Sequence, residues 1–423
     1  MEPDDTAPLT RAPVATPRVS LVTQREAERW PGWLPRLLGY FIAVGPAATD
    51  MYLPAFPAVE ATFHTAPGTA QLTLAAWFAG LAVGQLMQGT LSDRIGRRRP
   101  LMLGFSVFAL AMAGGALAPN LIVLAVLRFV GAIGASAGMV ISRAVVRDLA
   151  DGTRGAILMS RLMLVMGVAP ILAPLVGGQV LVLVSWRAIF GGLAIFGALC
   201  LAASLWILPE TRAARSGRHG MHSMLHDIGA LMRDRLFVGY SLALGFAMAS
   251  MHAYFATSPI LFIDVYGVAP TNYGWIFGSN AAGFILFSQI NRVFLRRTTA
   301  DNVLRWASWA QLAIALGLLA VASTAAGGIW GLLPAIFCVI AVLGLMHPNA
   351  LAGAMMVEPS RAGTASALVG TAQFTICALT AWLSGFVPLP AAMPLATAVM
   401  VVVVLSFVTR VALVRRGRTA DRS

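Results

Sequence analysis

The sequence predicts an all-α membrane protein whose twelve transmembrane helices form two halves of six. Of its 423 residues, 58% are hydrophobic and only 11% are charged, whereas a soluble domain carries about 25% charged residues. The apolar residues also fall into runs of about 20, the length that a helix needs to cross a bilayer. The longest polar stretch between two runs, residues 209–235, lies near the middle of the chain. These observations exclude a soluble globular protein.

Twelve apolar runs are predicted to span the membrane. They lie at roughly 36–55, 72–92, 100–118, 121–145, 157–181, 187–208, 236–263, 272–293, 303–323, 328–350, 361–386 and 390–413. The boundary between the third and fourth is the least distinct, because only Ala118, Pro119 and Asn120 form the turn. The predicted domains are a disordered N-terminal tail (1–35), a first half (36–208), a linker (209–235), a second half (236–413) and a C-terminal tail (414–423).

Arginine placement predicts which side of the membrane each loop faces. Alternate loops hold many arginines, whereas the other set of loops holds only Arg187. Basic residues concentrate in cytoplasmic loops, so both termini and the linker are predicted to be cytoplasmic. The net charge of +13 therefore arises from short loops between apolar runs and does not indicate nucleic-acid binding.

Two charged residues lie inside predicted spans. Asp50 interrupts GYFIAVGPAATDMYLPAF at 39–56, and Arg128 lies in the fourth span. A charge in hydrocarbon costs at least ~2.5–3.5 kcal/mol, which predicts a functional role. At 1.5 Å per residue, both lie roughly 9–10 Å below the same end of the bundle. Equal depth and opposite charge predict an ion pair, which would lessen the cost of burying both, and a purely structural pair is the alternative for Asp50.

The first Arg-rich loop reads GTLSDRIGRRRPL at 89–101. Gly89 is expected to let two helices approach closely, and Gly96 to permit a tight turn. Asp93, at a helix end, can pair with an arginine, and such a pair could hold one conformation and break in another. The alternative is that the arginines only set the topology. The residues expected to form this gating motif are Gly89, Asp93, Arg94, Gly96, Arg97 and Arg98.

The fifth span contains GVAPILAPLVGGQV at 167–180. Pro170 and Pro174 each remove a backbone hydrogen bond and allow a bend. Gly177 and Gly178 allow another helix to pack closely. A simple packing face is the alternative, since small-residue faces are common in membrane helices.

These segments resemble the major facilitator superfamily. GTLSDRIGRRRPL matches its signature G-x-L-x-D-R-x-G-R-R-x-x-L between the second and third helices. Arg128, with Gly131 and Gly134, partly matches a pattern of proton-coupled members, although the usual Gln is missing. GVAPILAPLVGG resembles the antiporter motif of drug exporters, with Ala173 in place of Gly. TDMYLPAFPAV, SWRAIF and PET are similar to segments of the Bcr/CflA drug:proton antiporters.

The resemblance implies a major facilitator fold in which the first and fourth helices line a central cavity. It implies a monomer in the bacterial inner membrane that exports amphipathic drugs such as bicyclomycin, sulfonamides and chloramphenicol-type compounds. Asp50 would carry the coupling proton, with Arg128 beside it. No P-loop is present, and no cofactor or metal is predicted. A proton-coupled uptake symporter on the same fold is the alternative, and an enzyme is set aside because no catalytic cluster appears.

Several polar residues within the spans are weaker candidates. Those that could line a substrate cavity are Tyr52, Gln85, Tyr254, Asn280, Asn349 and Gln373. Each could equally form a hydrogen bond between helices. His219, His222 and His226 have a spacing that could bind metal, but they lie in the linker without an acidic or cysteine ligand.

Overall fold

The computed structural model describes residues 33–149, 152–211, 221–358, 361–386 and 392–415, and this part of the chain is almost entirely helical. The first half contains α1 (Leu34–Asp50), α2 (Phe56–Phe63), α3 (Gln71–Ile95), α4 (Arg98–Ala116), α5 (Leu121–Leu149), α6 (Gly152–Leu183) and α7 (Trp186–Trp206). The linker contains α8 (Met221–Arg233). The second half contains α9 (Arg235–Pro259), α10 (Pro270–Leu295), α11 (Ala300–Thr324), α12 (Gly328–Val357), α13 (Ala362–Ser384) and α14 (Met393–Thr409).

Short irregular helices continue three of these elements. A 3₁₀ turn, Leu53–Ala55, joins α1 to α2, and π-helical segments Ile260–Val265 and Arg410–Arg415 follow α9 and α14. The predicted N-terminal tail lies outside the described residues up to residue 32. Of the three linker histidines, only His226 has a described side chain.

A helix is found at each of the twelve predicted spans. Within the described residues, nine helices are long and apolar enough to cross a membrane. The predicted spans outside that set correspond to α1, α3 and α10. α1 ends after 17 residues, because the chain turns through Leu53–Ala55. α3 and α10 are long but contain polar side chains such as Gln85 and Asn280, both buried inside the protein.

The least distinct predicted boundary, between the third and fourth spans, is confirmed. α4 ends at Ala116 and α5 begins at Leu121. The side-chain oxygen of Asn120 accepts a hydrogen bond from the backbone N–H of Val123 at 2.9 Å. Asn is a preferred residue at a helix start because it satisfies a donor that has no partner within the helix.

The outer surface of the bundle carries large apolar side chains. Leu117 is 82% exposed and Trp206 is 84% exposed, and Leu110 and Trp330 are similarly open. Exposed apolar area on this scale is rare in soluble monomers. The chain is therefore a multi-pass membrane protein whose lipid-facing surface is apolar.

The two halves meet along two seams, formed by α6 with α10 and by α3 with α13. We call the end of the bundle that carries His64 and Gly267 the Arg-poor end, and the end that carries Arg97 and Arg296 the Arg-rich end. At the Arg-poor end, a Cβ atom placed on Gly178 would overlap the backbone oxygen of Pro270 in the second half. The halves are thus in close backbone contact at that end.

The linker helix is attached to the second half at the Arg-rich end. Asp227 of α8 forms an ion pair with Arg361, which lies just before α13. The distance between Oδ1 of Asp227 and Nε of Arg361 is 2.9 Å. α9 then begins with Asp234, whose side chain accepts hydrogen bonds from the N–H groups of Leu236 and Phe237. This cap explains why the helix starts where the polar linker ends.

Candidate functional site

Asp50 is the last residue of α1 and is only 2% exposed. The preceding residue, Thr49, fixes this end of the helix, since its hydroxyl donates to the Gly45 carbonyl and accepts from Nε1 of Trp77 at 2.8 Å. In the described structure Asp50 itself has no hydrogen-bond or ion-pair partner. An isolated buried carboxylate is costly, and a bound proton removes its charge. The position therefore suits a group that alternates between protonated and ionised forms.

Asp50 lies at the boundary between the two halves. The Leu53–Ala55 turn, three residues after it, contacts α9 and α10 of the second half, and Tyr273 lies near the start of α10. The Tyr273 hydroxyl is hydrogen-bonded to Ser258 of α9 at 2.8 Å. Nothing local in TNYGWIF indicates that the start of α10 packs against a turn more than two hundred residues earlier.

Arg128 of α5 is completely buried inside the first half. Its Nη1 donates to the Ala48 carbonyl, and its Nε to the Thr73 carbonyl, both at 3.2 Å. The guanidinium carbon lies 4.3 Å from the centre of the Tyr52 ring and 4.9 Å from that of Trp77. Arg128 thus links the last turn of α1 to the start of α3.

The predicted ion pair between Asp50 and Arg128 is wrong for this structure. The two residues do lie at the same level, since Arg128 bonds the backbone only two residues before Asp50. Their side chains are nevertheless not in ion-pair contact. Aromatic faces and carbonyl oxygens attract a guanidinium without the cost of burying a second charge, which explains the arrangement. Nη2 of Arg128 has no partner among the described residues.

Four of the candidate cavity residues are hydrogen-bonded within one half. The Tyr52 hydroxyl accepts from Thr73 at 3.0 Å beneath Arg128. Nδ2 of Asn280 donates to the Tyr254 hydroxyl at 2.9 Å. Asn349 donates to Asn291 at 2.7 Å. For Tyr52, Tyr254, Asn280 and Asn349, the structure shows the hydrogen bond within the bundle that was the alternative, and substrate contact stays a prediction.

Gln85 and Gln373 lie near the seam between α3 and α13. Oε1 of Gln85 would be 3.3 Å from a Cβ atom on Gly370 of the other half, and Gln373 is partly exposed nearly one turn further along α13. The Thr371 hydroxyl donates across the same seam to the Ala82 carbonyl at 3.2 Å. Of the predicted cavity residues, these two lie on the two helices that form this seam.

An aromatic cluster lies at the same seam. Phe78 of α3 stacks on Phe374 of α13, with ring centres 6.2 Å apart and planes 13° apart. His252 of α9 meets Phe78 edge-on at 4.5 Å and lies 5.3 Å from Phe255. Aromatic faces shared by both halves can bind flat apolar molecules. Aromatic residues are common in apolar spans, so the sequence does not show which of them meet at this seam.

Arg97 organises the first Arg-rich loop from a fully buried position. It forms ion pairs with Asp93 at 2.8 Å and with Asp148 at 2.6 Å, and it donates to the Ser92 hydroxyl. Burial lowers the pKa of Arg97, but hydrogen bonds and charge from Asp148 and Asp93 raise its pKa to a net value above the ordinary one. The predicted pairing of Asp93 with an arginine is present. Opening of this pair in another conformation stays a prediction.

Glu210, in the PET segment after α7, binds the other side of this loop. Its carboxylate accepts from the backbone N–H groups of Arg97 and Arg98 at 2.8 and 3.2 Å. A carboxylate at a helix N-terminus is favoured by the helix dipole and satisfies unpaired donors. Nε of Arg98 also donates a hydrogen bond to the Ser204 carbonyl of α7, at 3.1 Å, so the loop and the end of α7 are joined at a second point.

Replacing Gly96 by alanine is expected to lower the free energy of unfolding by about 1–3 kcal/mol. Gly96 has φ = +89°, and a Cβ atom there would lie 2.6 Å from an oxygen of Glu210. The substitution would therefore strain the backbone and displace the carboxylate that caps α4. Unfolding of the purified protein in lipid nanodiscs measures the change.

Gly89 provides the matched control for this substitution. The predicted close helix approach at Gly89 is wrong, because a Cβ atom there meets no heavy atom within 4 Å. α3 turns a different face to its neighbours, so Gly89→Ala adds a methyl group to open space. Equal destabilisation by both substitutions would contradict the role given to Gly96.

α6 packs its glycine pair against two different elements. A Cβ atom on Gly177 would overlap the carbonyl of Met51, directly after Asp50, and Gly178 faces Pro270 of the second half. Pro170 and Pro174 lie inside α6, which runs without a break from Gly152 to Leu183. The predicted close packing is present, and a role of this helix in antiport stays a prediction.

Arg94, the last member of the loop motif, lies in the final turn of α3.

Comparison with known proteins identifies what this arrangement is similar to. The family model described as "Major Facilitator Superfamily" matches residues 37–381. The uncharacterised MFS-type transporter YdgK of Bacillus subtilis is 35% identical over 79% of this chain and 84% of its own length. A bicyclomycin resistance protein homolog of Haemophilus influenzae is 28% identical over 87% of this chain and 93% of its own length.

A solved structure supports the fold. The xylose transporter XylE of E. coli, in a partially occluded inward-open conformation, superposes with a TM-score of 0.69 and 14% identity. The match covers 90% of this chain and 97% of that one. At this identity the similarity concerns the fold and carries nothing about the transported molecule.

Proposed function

Since the chain belongs to the major facilitator superfamily, we propose that it exports small amphipathic, drug-like molecules in exchange for protons. The halves would rock against each other so that a central site opens alternately to each side of the membrane. The name of the Haemophilus relative supports a drug as cargo. The aromatic cluster of Phe78, His252, Phe255 and Phe374 supports an apolar, ring-containing cargo.

The position of Asp50 is the observation that carries the coupling mechanism. It is buried, has no partner in the described structure and lies three residues before the turn that contacts the second half. With the cavity open to the cytoplasm, Asp50 would be ionised and the drug would bind. After the drug leaves on the other side, a proton would neutralise Asp50 and let the empty carrier return without burying a charge.

The membrane potential makes this exchange productive. Moving one charge fully across 100 mV is worth about 2.3 kcal/mol, so one proton can drive a useful gradient of a neutral drug. The protein would act as a monomer in a bacterial inner membrane with both termini in the cytoplasm. Protons would be the coupling ion, and no further cofactor is needed for this cycle.

Uptake of a small solute with protons is the second candidate on the same fold. The antiporter-like packing of Gly177 and Gly178 beside Asp50 favours export over uptake. The two directions predict opposite proton movements on addition of substrate. The direction in which protons move on addition of substrate therefore distinguishes export from uptake.

In energised everted membrane vesicles that contain the protein, bicyclomycin or chloramphenicol is expected to release protons from the lumen. A pH-sensitive dye inside the vesicles records the release, and labelled drug should accumulate in the lumen. Vesicles without the protein provide the background. Drug-independent dye signals, together with proton-driven solute entry into right-side-out vesicles, would overturn export in favour of symport.

A further inference from the structure

The aromatic cluster at the seam between α3 and α13 contains one polar ring, the imidazole of His252. His252 lies near the middle of the apolar span Arg235–Val265 and is only 4% exposed. An ionisable side chain inside a membrane span indicates function by default. The coupling scheme built on Asp50 gives His252 no chemical role, so the reason for its presence lies elsewhere.

The tautomer of His252 follows from its contact within α9. Nδ1 lies 2.8 Å from the Met248 carbonyl oxygen, one turn earlier. A carbonyl oxygen only accepts hydrogen bonds, so Nδ1 carries the ring proton, and Nε2 of the neutral imidazole is an acceptor. The neutral form is favoured because a buried cation without a counter-ion is costly. No acidic side chain in the described part of the chain forms an ion pair with His252.

Nε2 of His252 has no donor from which to accept a hydrogen bond. None of the described residues bonds to it, and it is not one of the fully enclosed polar atoms that lack a partner. Nε2 therefore borders space that a ligand atom can reach. The rings beside the imidazole are apolar, since Phe78 meets it edge-on with centres 4.5 Å apart and Phe255 lies at 5.3 Å. An acceptor in apolar surroundings is costly unless a donor reaches it, and a cargo molecule can supply that donor.

The rings around Nε2 come from both halves of the bundle. Phe78 belongs to α3 of the first half, whereas His252 lies on α9 and Phe374 on α13 of the second half. Phe78 and Phe374 stack with their planes 13° apart, and Phe374 is partly exposed. Movement of one half against the other would part Phe78 from the other two rings. A flat aromatic molecule would then meet aromatic faces with the Nε2 acceptor beside them.

We propose that Nε2 of His252 accepts a hydrogen bond from the cargo, so that the exporter selects flat aromatic molecules that carry a phenolic O–H or an aromatic N–H group. Phe78 and Phe374 would hold the ring, and His252 would fix its orientation. Such a cargo would contact both halves at once, as alternating access requires. The inference rests on the proposed export function and adds a substrate class to it.

The test measures binding of 2-naphthol and of its methyl ether, 2-methoxynaphthalene, to the purified full chain in lipid nanodiscs. The two fluorescent compounds share one ring system, but only the naphthol can donate a hydrogen bond. Wild-type protein is expected to bind the naphthol roughly tenfold or more tightly than the ether, the scale of one hydrogen bond to a buried acceptor. His252→Phe should remove this preference and change binding of the ether less than about twofold. His252→Gln, which keeps an acceptor near the position of Nε2, should restore most of it.

His226→Phe is the matched control, because it makes the same replacement at an exposed histidine of the linker helix α8. It should leave the binding of both compounds unchanged, and nanodiscs without protein give the partitioning background. Equal wild-type affinity for naphthol and ether, or equal loss of both in His252→Phe, would overturn the inference and leave export standing. Tighter wild-type binding of 2-acetonaphthone, which only accepts hydrogen bonds, would show that His252 is a donor and also overturn it. Wild-type vesicles that export no drug would overturn the proposed function itself.

Discussion

Asp50→Asn is expected to reduce drug-dependent proton release to the background of vesicles that lack the protein. The amide has nearly the shape of the carboxyl group but cannot take up and release a proton. In the described structure no hydrogen bond or ion pair holds Asp50, so the substitution breaks no contact. The amide remains a buried polar group without partners, so any loss in the free energy of unfolding should stay within the roughly 1–3 kcal/mol that an unsatisfied buried polar group costs. Downhill movement of drug through the variant should continue.

The control for this variant is Asp264→Asn. Asp264 is an exposed acid in the π-helical segment after α9, toward the Arg-poor end, so its loss removes one negative charge outside the proposed pathway. It should release protons like the wild type. Uphill drug accumulation by Asp50→Asn that collapses with an uncoupler would show that the proton binds elsewhere.

The helices and the buried Asp50 could be predicted because they depend on local features. Runs of apolar residues of bilayer length give the spans, and a carboxyl group inside such a run is conspicuous whatever surrounds it. Asn120 gives the α4–α5 boundary for the same reason, since its cap is formed three residues away. Interactions of this kind are contained in a few consecutive residues.

The surroundings of Arg128 could not be predicted in the same way. Its depth follows from counting residues, but its contacts come from Ala48 and Tyr52 on one helix and from Thr73 and Trp77 on another. The direction in which a guanidinium turns depends on how those helices rotate about their axes. Charge alone favoured Asp50 as the partner of Arg128. The sequence did not show that the rings of Tyr52 and Trp77 lie next to the guanidinium.

The glycines illustrate the same limit. The loop signature contains Gly89 and Gly96 with equal prominence, yet Gly96 has a positive φ against Glu210 whereas Gly89 faces open space. A positive φ follows from the turn that joins α3 to α4, and the approach of Glu210 depends on the end of α7. Neither property is a feature of the glycine's own neighbours in sequence.

The second large effect is expected at Arg128, where Arg128→Met should abolish transport and Arg128→Lys should reduce it at least about tenfold. The guanidinium holds the Ala48 carbonyl, at the last turn of α1, against the start of α3, and so positions Asp50. Lysine keeps the charge but has no planar fork with which to reach both carbonyls. Transport by the variants in everted vesicles measures the loss, with Arg161→Met, an exposed arginine of α6, as the control.

Stability should respond much less than transport to these Arg128 substitutions. Each hydrogen bond from a charged group contributes about 1.5–3 kcal/mol, whereas burying the charge costs several kcal/mol, so the two terms nearly offset each other in Arg128→Met. Because Asp50 and Arg128 are not in contact, Asp50→Asn and Arg128→Lys should change the unfolding free energy additively to within about 0.5 kcal/mol. A coupling above about 1 kcal/mol, together with normal transport by Arg128→Lys, would restore the ion pair as the reason for both buried charges.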